Sequence, residues 1–209
     1  VLTATVDFIR ENALQGEPPE AEDLENLETV RHHLRTHALQ LLNMGKPGKS
    51  DSEAFDLRDA VSGVVSMLRV SGKTKRVTVD VELPTYQVRV LASRTRVEQV
   101  LLNIICNAVD AIVGAKKTDG KILVKAGLGY SEDKYQCSIS NNGPQIPGDV
   151  SDKIFSPYFT TKGDSGGTGL GLNVVKHIVE SVGGNVTAVN NDGGGVTFEF
   201  DLPIAPLEE

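Results

Sequence analysis

Several residue types that mark whole classes of protein are scarce in this sequence. Its 209 residues include no tryptophan and only two cysteines, Cys106 and Cys137, and its net charge at pH 7 is −7. Two cysteines in apolar surroundings, without the spacing of a metal site, do not make a disulfide framework, so we expect buried free thiols and a cytoplasmic location. The acidic balance argues against nucleic acid as a partner, because nucleic acid binding needs a basic face.

Long apolar runs are missing as well. No run approaches the roughly 18 residues of a membrane helix. We therefore expect membrane contact only through segments outside this sequence. With 39% hydrophobic residues, the chain is long enough for one ordinary core and a smaller appendage.

Helical spacing is present at the start of the chain. Apolar residues recur every three or four positions over residues 1–14 and 21–44, and Gly16, Pro18 and Pro19 interrupt the pattern between them. Two helices joined by a short polar loop form an antiparallel hairpin, here residues 1–45. The narrow apolar stripe of the second helix is typical of a coiled coil and predicts a homodimer through a four-helix bundle. Residues 46–54 are a linker by composition.

Residues 55–209 mix helical and strand patterns. Helices are predicted over residues 56–70, over 95–113 and after residue 170, with Ser93 placed to cap the second of them. Strands are predicted over residues 77–81, 88–91, 121–126, 135–140, 185–190 and 196–202, and residues 193–195 are assigned to a turn and nothing more. The fold class is therefore α+β: a two-layer α/β sandwich, one sheet with helices on one face, preceded by the helical hairpin.

A glycine-rich loop stands out within this second part. Five glycines fall among residues 163–172, GDSGGTGLGL, directly before an apolar helical pattern. Such a loop places backbone N–H groups and the positive end of a helix dipole around an anion. A flexible surface loop is the alternative that the glycines alone leave open.

Polar residues interrupt the apolar pattern of the predicted helix 95–113. Asn103, Asn107 and Asp110 are spaced by four and three residues, so they share one face of that helix. Amide oxygens are reasonable ligands for Mg²⁺, which keeps most of its waters and binds phosphates. A solvated helix face remains the alternative on spacing alone.

Three segments resemble motifs of the sensor histidine kinases of two-component systems. Residues 98–108, EQVLLNIICNA, resemble the asparagine box, residues 154–162, IFSPYFTTK, the phenylalanine box, and residues 167–172, GTGLGL, the second glycine box. Their order and separations agree with that family over residues 95–172. The resemblance implies the Bergerat ATP-binding fold, an α/β sandwich, with ATP and Mg²⁺ as its cofactors.

The resemblance also implies roles for single residues. Asn107 would be the Mg²⁺ ligand, Asn103 would lie beside the phosphates, and Lys162 would pair with the outer phosphates. Residues 163–167 would be the hinge of a lid over the nucleotide. The other ATP-binding residues implied are Asp110, Asn141, Gly143, Ile146, Gly167, Thr168, Gly169, Leu170 and Gly171.

The first glycine box departs from the family's pattern, Asp-x-Gly-x-Gly. Here the segment is NNGPQIP, with Asn141 at the aspartate position and Gln145 at the second glycine. An asparagine carbonyl can still accept the adenine amino proton, but without charge assistance, so we expect roughly tenfold weaker ATP binding. Gln145 either fills the adenine pocket or turns to solvent.

The phosphoacceptor histidine is also displaced from the family's arrangement. The segment HHLRTH, residues 32–37, resembles the acceptor box, yet it lies on the second predicted helix, whereas the family's box is on the first. We therefore expect the acceptor upstream of Val1, with His32 and His33 as alternatives.

These observations favour the cytoplasmic catalytic core of a sensor histidine kinase. It would pass the γ-phosphoryl group of ATP to a histidine and then to the receiver domain of a response regulator. A pseudokinase that docks a regulator and binds ATP weakly is the alternative favoured by Asn141 and Gln145. A non-kinase Bergerat ATPase fits less well, because Asn103 stands where those enzymes place a water-activating glutamate.

Overall fold

The structure is a computed structural model that describes residues 52–129, 133–160 and 168–206. All of them belong to one compact unit, Ser50–Glu209. The predicted hairpin 1–45, with His32 and His33, lies outside the described residues, and so do Lys162 and Gly167. The dimerisation hairpin and the domain boundaries therefore stay predictions.

Three α-helices and seven β-strands form the described part of the chain. Their order is β1 (Glu53–Asp56), α1 (Leu57–Val70), β2 (Thr78–Glu82), β3 (Arg89–Ala92), α2 (Arg94–Gly114), β4 (Lys121–Leu128), β5 (Lys134–Asn141), α3 (Gly171–Ser181), β6 (Val186–Asn190) and β7 (Val196–Pro203). A 3-10 turn, Ser151–Lys153, precedes the phenylalanine box. Glu53 and Ala54, which we expected in the linker, lie in β1 and pair with Ala92 and Leu91 of β3.

Five strands make one mixed sheet in the order β2-β4-β5-β7-β6. Only β2 and β4 run parallel, and the other neighbours are antiparallel. The strands β1 and β3 form a second, two-stranded sheet, and a single bridge from Val90 to Ile204 joins β3 to the residues after β7.

The helices and the large sheet enclose one hydrophobic core. Along β7 every second residue is buried, including Phe198, Phe200 and Leu202, which is the pattern of a sheet covered on one face. Helix α1 buries a stripe at helical spacing, with Leu57, Ala60, Val61, Val64, Val65 and Leu68 inside. The predicted two-layer α/β sandwich is confirmed.

Helix α2 lies at the centre of that core. Leu101, Ile104, Ile105 and Ile112 are completely buried. By length and composition α2 would also qualify as a membrane span, although Asn103 and Asp110 interrupt its apolar run in the sequence. The core helix of a sandwich satisfies the same criteria, since its apolar residues face other protein.

Two local expectations need correction. Ser93 occupies the N-cap position of α2, but its side chain makes no capping hydrogen bond there. Its carbonyl oxygen instead accepts the Val97 N–H at 3.0 Å, as any residue at that position could. Both cysteines are free thiols, but only Cys137 is buried, and burial raises its pKa to about 12, whereas Cys106 is half-buried.

Candidate functional site

The two asparagines of α2 face the first residue of α3. The Nδ2 of Asn103 donates to the carbonyl oxygen of Gly171 at 3.2 Å. A Cβ added at Gly171 would lie 3.7 Å from Asn107 Nδ2 and 3.9 Å from Asn103 Cγ. The structure therefore brings Asn103, Asn107 and Gly171 together, although 64 or more residues separate the asparagines from the glycine in the chain.

The N-terminus of α3 begins without a side-chain cap. Leu170 is the N-cap residue, and no side chain accepts a hydrogen bond from the helix at that point. The N–H groups of a first helical turn have no partner inside the helix, and with the positive end of the helix dipole they form a site suited to an anion. Thr168 lies just before, where its hydroxyl accepts the Leu170 N–H at 3.4 Å.

The phenylalanine box packs against this same end of α3. Asn173 Nδ2 donates to the Phe155 carbonyl oxygen at 3.1 Å. Gly169, at φ +65, lies so close to the Tyr158–Phe159 peptide that a Cβ there would overlap it, so only glycine fits. Tyr158 itself has φ +63, a conformation that is strained for a bulky residue, and its side chain is 76% exposed.

Asn141 closes β5 at the other end of the site. Its side chain is buried and uses both of its polar atoms within the fold: Nδ2 donates to the Val196 carbonyl oxygen at 3.1 Å, and Oδ1 accepts the Gly143 N–H at 2.9 Å. The two bonds fix the orientation of the amide group. An amide oxygen has two lone pairs, so Oδ1 retains one for a further donor.

The side chain of Gln145 is directed to solvent and to the turn after β6. It is exposed, and its Nε2 donates to the Asn191 carbonyl oxygen at 2.7 Å, in the turn between β6 and β7. The sequence left open whether Gln145 fills an adenine pocket or turns to solvent, and in the structure the side chain is exposed to solvent.

Two glycines near Asn141 have contacts that the sequence did not reveal. Gly195, at φ +87, lies against the Asn141 carbonyl group, and a Cβ there would overlap it. The predicted turn over residues 193–195 is confirmed, and the contact with Asn141 is an additional reason why only glycine fits at residue 195. A Cβ at Gly143 would lie 3.2 Å from Ile112 Cγ1 and 2.9 Å from Asn141 Oδ1, so this position is close-packed too.

Helix α2 connects the two ends of the site. Asn103 and Asn107 lie beside α3, and Ile112, further along the same helix, lies beside Gly143. Nine residues of helix from Asn103 to Ile112 span about 14 Å. The described candidates Asn103, Asn107, Gly171, Gly143 and Asn141 therefore lie along α2. We call this arrangement the elongated site, with an amide-lined end and an end at the first glycine box.

Asp110 lies on the same face of α2 but is already paired. Its Oδ1 is 2.7 Å from Lys73 Nζ, and both side chains are about one-third exposed. Lys73 belongs to the turn after α1, 37 residues away in the chain. Sequence spacing could not reveal this cation, since periodicity relates only residues of one element.

The oxygen atoms at the amide-lined end suit a hard cation that takes most of its ligands from water and phosphate and only one or two from protein. Among the described residues there is no group of three His, Cys, Asp or Glu side chains that could hold a metal ion. Asn107 and Asn103 offer amide oxygens, and Mg²⁺ commonly takes one or two protein oxygens together with water and phosphate. The residues present fit such an ion.

A groove elsewhere in the described part is unrelated to these residues. It has a volume of about 330 Å³ and lies between α1 and β2. None of the predicted site residues lines it. The elongated site along α2 is therefore characterised by the chemistry of its side chains, and residues 161–167 lie outside the described part.

Comparison with known proteins gives a matching family. Residues 92–206 match the family of histidine kinase-, DNA gyrase B- and HSP90-like ATPases. The chain is 35% identical over 167 residues to the signal transduction histidine-protein kinase AtoS of Escherichia coli (strain K12), which is 80% of this chain and 26% of AtoS. It is 29% identical over 182 residues to the C4-dicarboxylate transport sensor protein DctB of Rhizobium meliloti (strain 1021), 87% of this chain and 28% of DctB. The chain spans about a quarter to a third of the length of the curated relatives it matches.

Solved structures give the same result for the fold. The catalytic domain of histidine kinase ThkA is 34% identical with a TM-score of 0.63, and the match covers 75% of this chain and 99% of that one. The structure of ThkA in complex with response regulator protein TrrA is 27% identical with a TM-score of 0.72, covering 98% of this chain and 58% of that one.

Proposed function

Since the chain belongs to the family of histidine kinase-, DNA gyrase B- and HSP90-like ATPases, with sensor histidine kinases as its relatives, we propose that it is the catalytic core of a sensor histidine kinase. The family implies that it binds ATP. In our proposal it binds ATP with Mg²⁺, transfers the γ-phosphoryl group to a histidine, and passes that group to an aspartate of a response-regulator receiver domain.

The meeting of Asn103, Asn107 and the N-terminus of α3 carries this proposal. Asn107 and Asn103 supply amide oxygens beside Gly171. The uncapped helix end supplies N–H donors and a positive dipole. A triphosphate with a divalent cation needs both kinds of group, so we assign the phosphates to this end, with Asn107 as the Mg²⁺ ligand and Thr168 to Gly171 around the triphosphate.

The base belongs at the other end in this proposal. Asn141 Oδ1 keeps a lone pair for the adenine amino group, and Gly143 and Ile146 continue the loop beside it. Because the acceptor is a neutral amide where the family has a carboxylate, we expect ATP affinity to be lower, by roughly tenfold, than with a charged acceptor.

The side chains of the site suit phosphoryl transfer better than hydrolysis. Transfer of a phosphoryl group depends on positioning and on stabilisation of charge. A bound Mg²⁺ would neutralise charge on the phosphates. Asn103 cannot abstract a proton from water, so the described site lacks a general base at the position where hydrolysing relatives carry glutamate. Lys162 and Gly167 keep the roles that the resemblance implies for them.

Partners follow from the same premise. The histidine kinase ThkA has been solved in complex with response regulator protein TrrA. We propose that this chain likewise docks a receiver domain, that residues 1–45 form a homodimer, and that the acceptor histidine lies upstream of Val1 or at His32 or His33. The location proposed is the cytoplasm, with any membrane contact through other segments.

A pseudokinase is the second candidate function. It is favoured by the side chain of Asn141, a neutral amide whose Nδ2 and Oδ1 each already make a hydrogen bond within the fold. A module of this kind would dock a regulator and bind ATP weakly.

Calorimetric titration of Mg-ATP into the chain tests the proposal. We expect saturable binding that Asn107→Ala abolishes. Asn185→Ala, at an exposed asparagine directly before β6, should leave binding unchanged. No binding by the unmodified chain would contradict the nucleotide site itself.

Labelling with γ-phosphate-labelled ATP separates kinase from pseudokinase. A kinase places an acid-labile, base-stable label on this chain, or on a longer chain that includes the residues before Val1. Binding of ATP without label on either chain would favour the pseudokinase.

A further inference from the structure

We propose that Gln145 and Asn190 are positioning residues of the nucleotide site. Their side chains fasten the loop after β5, residues 142–147, to the end of β6 and the turn that follows it, and so hold Ile146 in place beside the base. We call this pair the amide clasp. The inference rests on the proposed function, because it assigns a role within that same site.

Asn190 makes the tighter half of the clasp. Its Oδ1 accepts the Ile146 N–H at 2.8 Å, and its Nδ2 donates to the Ile146 carbonyl oxygen at 2.8 Å. The side-chain amide thus bonds both polar groups of one residue, as a neighbouring strand would. The backbone of Ile146 is fixed in orientation, and its half-buried side chain packs against the core.

Gln145 makes the other half, and its anchor is itself held. The Asn191 carbonyl oxygen accepts from Gln145 Nε2 at 2.7 Å. The Asn191 N–H donates to the Gly195 carbonyl oxygen at 3.0 Å, and Asn191 Oδ1 accepts from Thr197 Oγ1 at 2.8 Å. A bond to a turn that is held at several points orders the loop more than a bond to a mobile turn would.

The loop is therefore fastened at both of its ends. Asn141 Oδ1 bonds Gly143 N–H at its start, and the clasp holds Gln145 and Ile146 at its end. A loop that is ordered before the ligand arrives spends less binding free energy on ordering. Gln145, at the position where the resembled family has glycine, thus supports the site by leaving the pocket.

Restoring the family's glycine at residue 145 would be expected to improve nucleotide binding, and this assignment predicts the opposite. Gln145→Gly removes the bond to Asn191, so Mg-ATP binding should weaken further. Asn190→Ala removes both bonds to Ile146 and should have the larger effect, about tenfold. Gln145→Lys retains an N–H donor of similar reach and should restore most of the affinity lost in Gln145→Gly.

Two ligands and one exchange measurement separate positioning from plain destabilisation. In calorimetry on the full chain, Asn190→Ala should weaken Mg-ATP but leave Mg-tripolyphosphate unchanged, since the clasp lies at the base end. Hydrogen exchange at the Ile146 amide should accelerate in Asn190→Ala. The matched control Asn185→Ala, directly before β6, should change neither of the two affinities nor the exchange rate of the Ile146 amide.

The outcomes distinguish failure of the positioning role from failure of the proposed function. Equal weakening of both ligands, or Ile146 exchange unchanged in Asn190→Ala, would overturn the positioning role while leaving the proposed function intact. If the unmodified chain bound neither ligand, the proposed function would fail and the positioning role with it, whatever the exchange at Ile146.

Discussion

The side chain at residue 141 has to donate and accept at once. Its donor bonds the Val196 carbonyl oxygen and its acceptor bonds the Gly143 N–H. An aspartate would put a carboxylate oxygen 3.1 Å from the Val196 carbonyl oxygen, in a buried position, with no proton between them. Asparagine is therefore matched to this fold beyond any role toward a nucleotide.

Asn141→Asp should accordingly destabilise the protein at neutral pH. We expect a loss of about 1–3 kcal/mol, the range for a buried polar group that loses its partner. Urea unfolding at pH 7 measures it, with Asn185→Asp on exposed surface as the control. If Asn141→Asp matched the control, the bond from Nδ2 to Val196 would contribute nothing.

Lys116 is a strained residue whose replacement should stabilise the chain. It follows α2 and has φ +55. Its N–H donates to the Val113 carbonyl oxygen, and the N–H of Lys117 donates to the Ile112 carbonyl oxygen. This helix ending favours glycine at the left-handed position. Lys116→Gly should raise stability by roughly 1 kcal/mol, with a melting temperature about 2–4 °C higher.

The control for this change lies one residue earlier. Ala115 has φ −77, so Ala115→Gly relieves no strain and should not raise the melting temperature. A gain of equal size in both variants would show that the left-handed conformation of Lys116 costs nothing.

Helix α1 depends on a charged cap. Asp56 Oδ1 accepts the Arg58 N–H at 3.0 Å, and the Arg58 guanidinium contacts the carboxylate at 2.6 Å. The hydrogen bond from that guanidinium is the largest cause that lowers the pKa of Asp56 below its ordinary value of 3.8. A carboxyl whose pKa is lower in the folded state stabilises the fold above its unfolded-state pKa, and that contribution is lost as the pH falls through its folded-state pKa.

Asp56→Ala should therefore cost about 0.5–2 kcal/mol at pH 7. The difference from the unmodified chain should shrink as the pH falls below 3.8. Unfolding at a series of pH values gives both numbers, and Asp59→Ala, an exposed carboxylate in the first turn of the same helix, is the control. A difference that did not depend on pH would assign the loss to something other than the carboxylate charge.

The elements differ in how well their own residues specify them. Periodicity placed α1, α2 and β7 within about two residues, because each buries a regular apolar stripe. The four residues of β1 were missed, since so short a strand exists only through its pairing with β3.

Contacts between elements were beyond the sequence for a similar reason. The motifs placed Asn103, Asn107 and Gly171 at one site, but no local pattern relates Lys73 to Asp110, Gly195 to Asn141 or Gln145 to Asn191. Each pair meets only in the folded domain, because its two members belong to different elements or loops. The direction taken by Gln145 was undecidable for that reason, because its acceptor lies in a different hairpin.

The chain as a whole should divide into a catalytic unit that folds alone and a segment that pairs two copies. The core runs through residues 52–206 as described, and the catalytic domain of ThkA, solved by itself, matches this chain over 99% of its own length. A chain of residues 50–209 should therefore fold and bind Mg-ATP as the full chain does. A chain of residues 55–209 lacks Glu53 and Ala54 of β1 and should melt lower.

Sedimentation of the full chain and of residues 50–209 tests the predicted homodimer. We expect a dimer for the full chain and a monomer for residues 50–209, because the apolar stripe predicted over residues 21–44 is absent from the shorter chain. Leu34→Glu, a charge within that stripe, should convert the full chain to monomer without changing its affinity for Mg-ATP. A full chain that sedimented as a monomer, or a dimer of residues 50–209, would place the interface elsewhere than in residues 1–45.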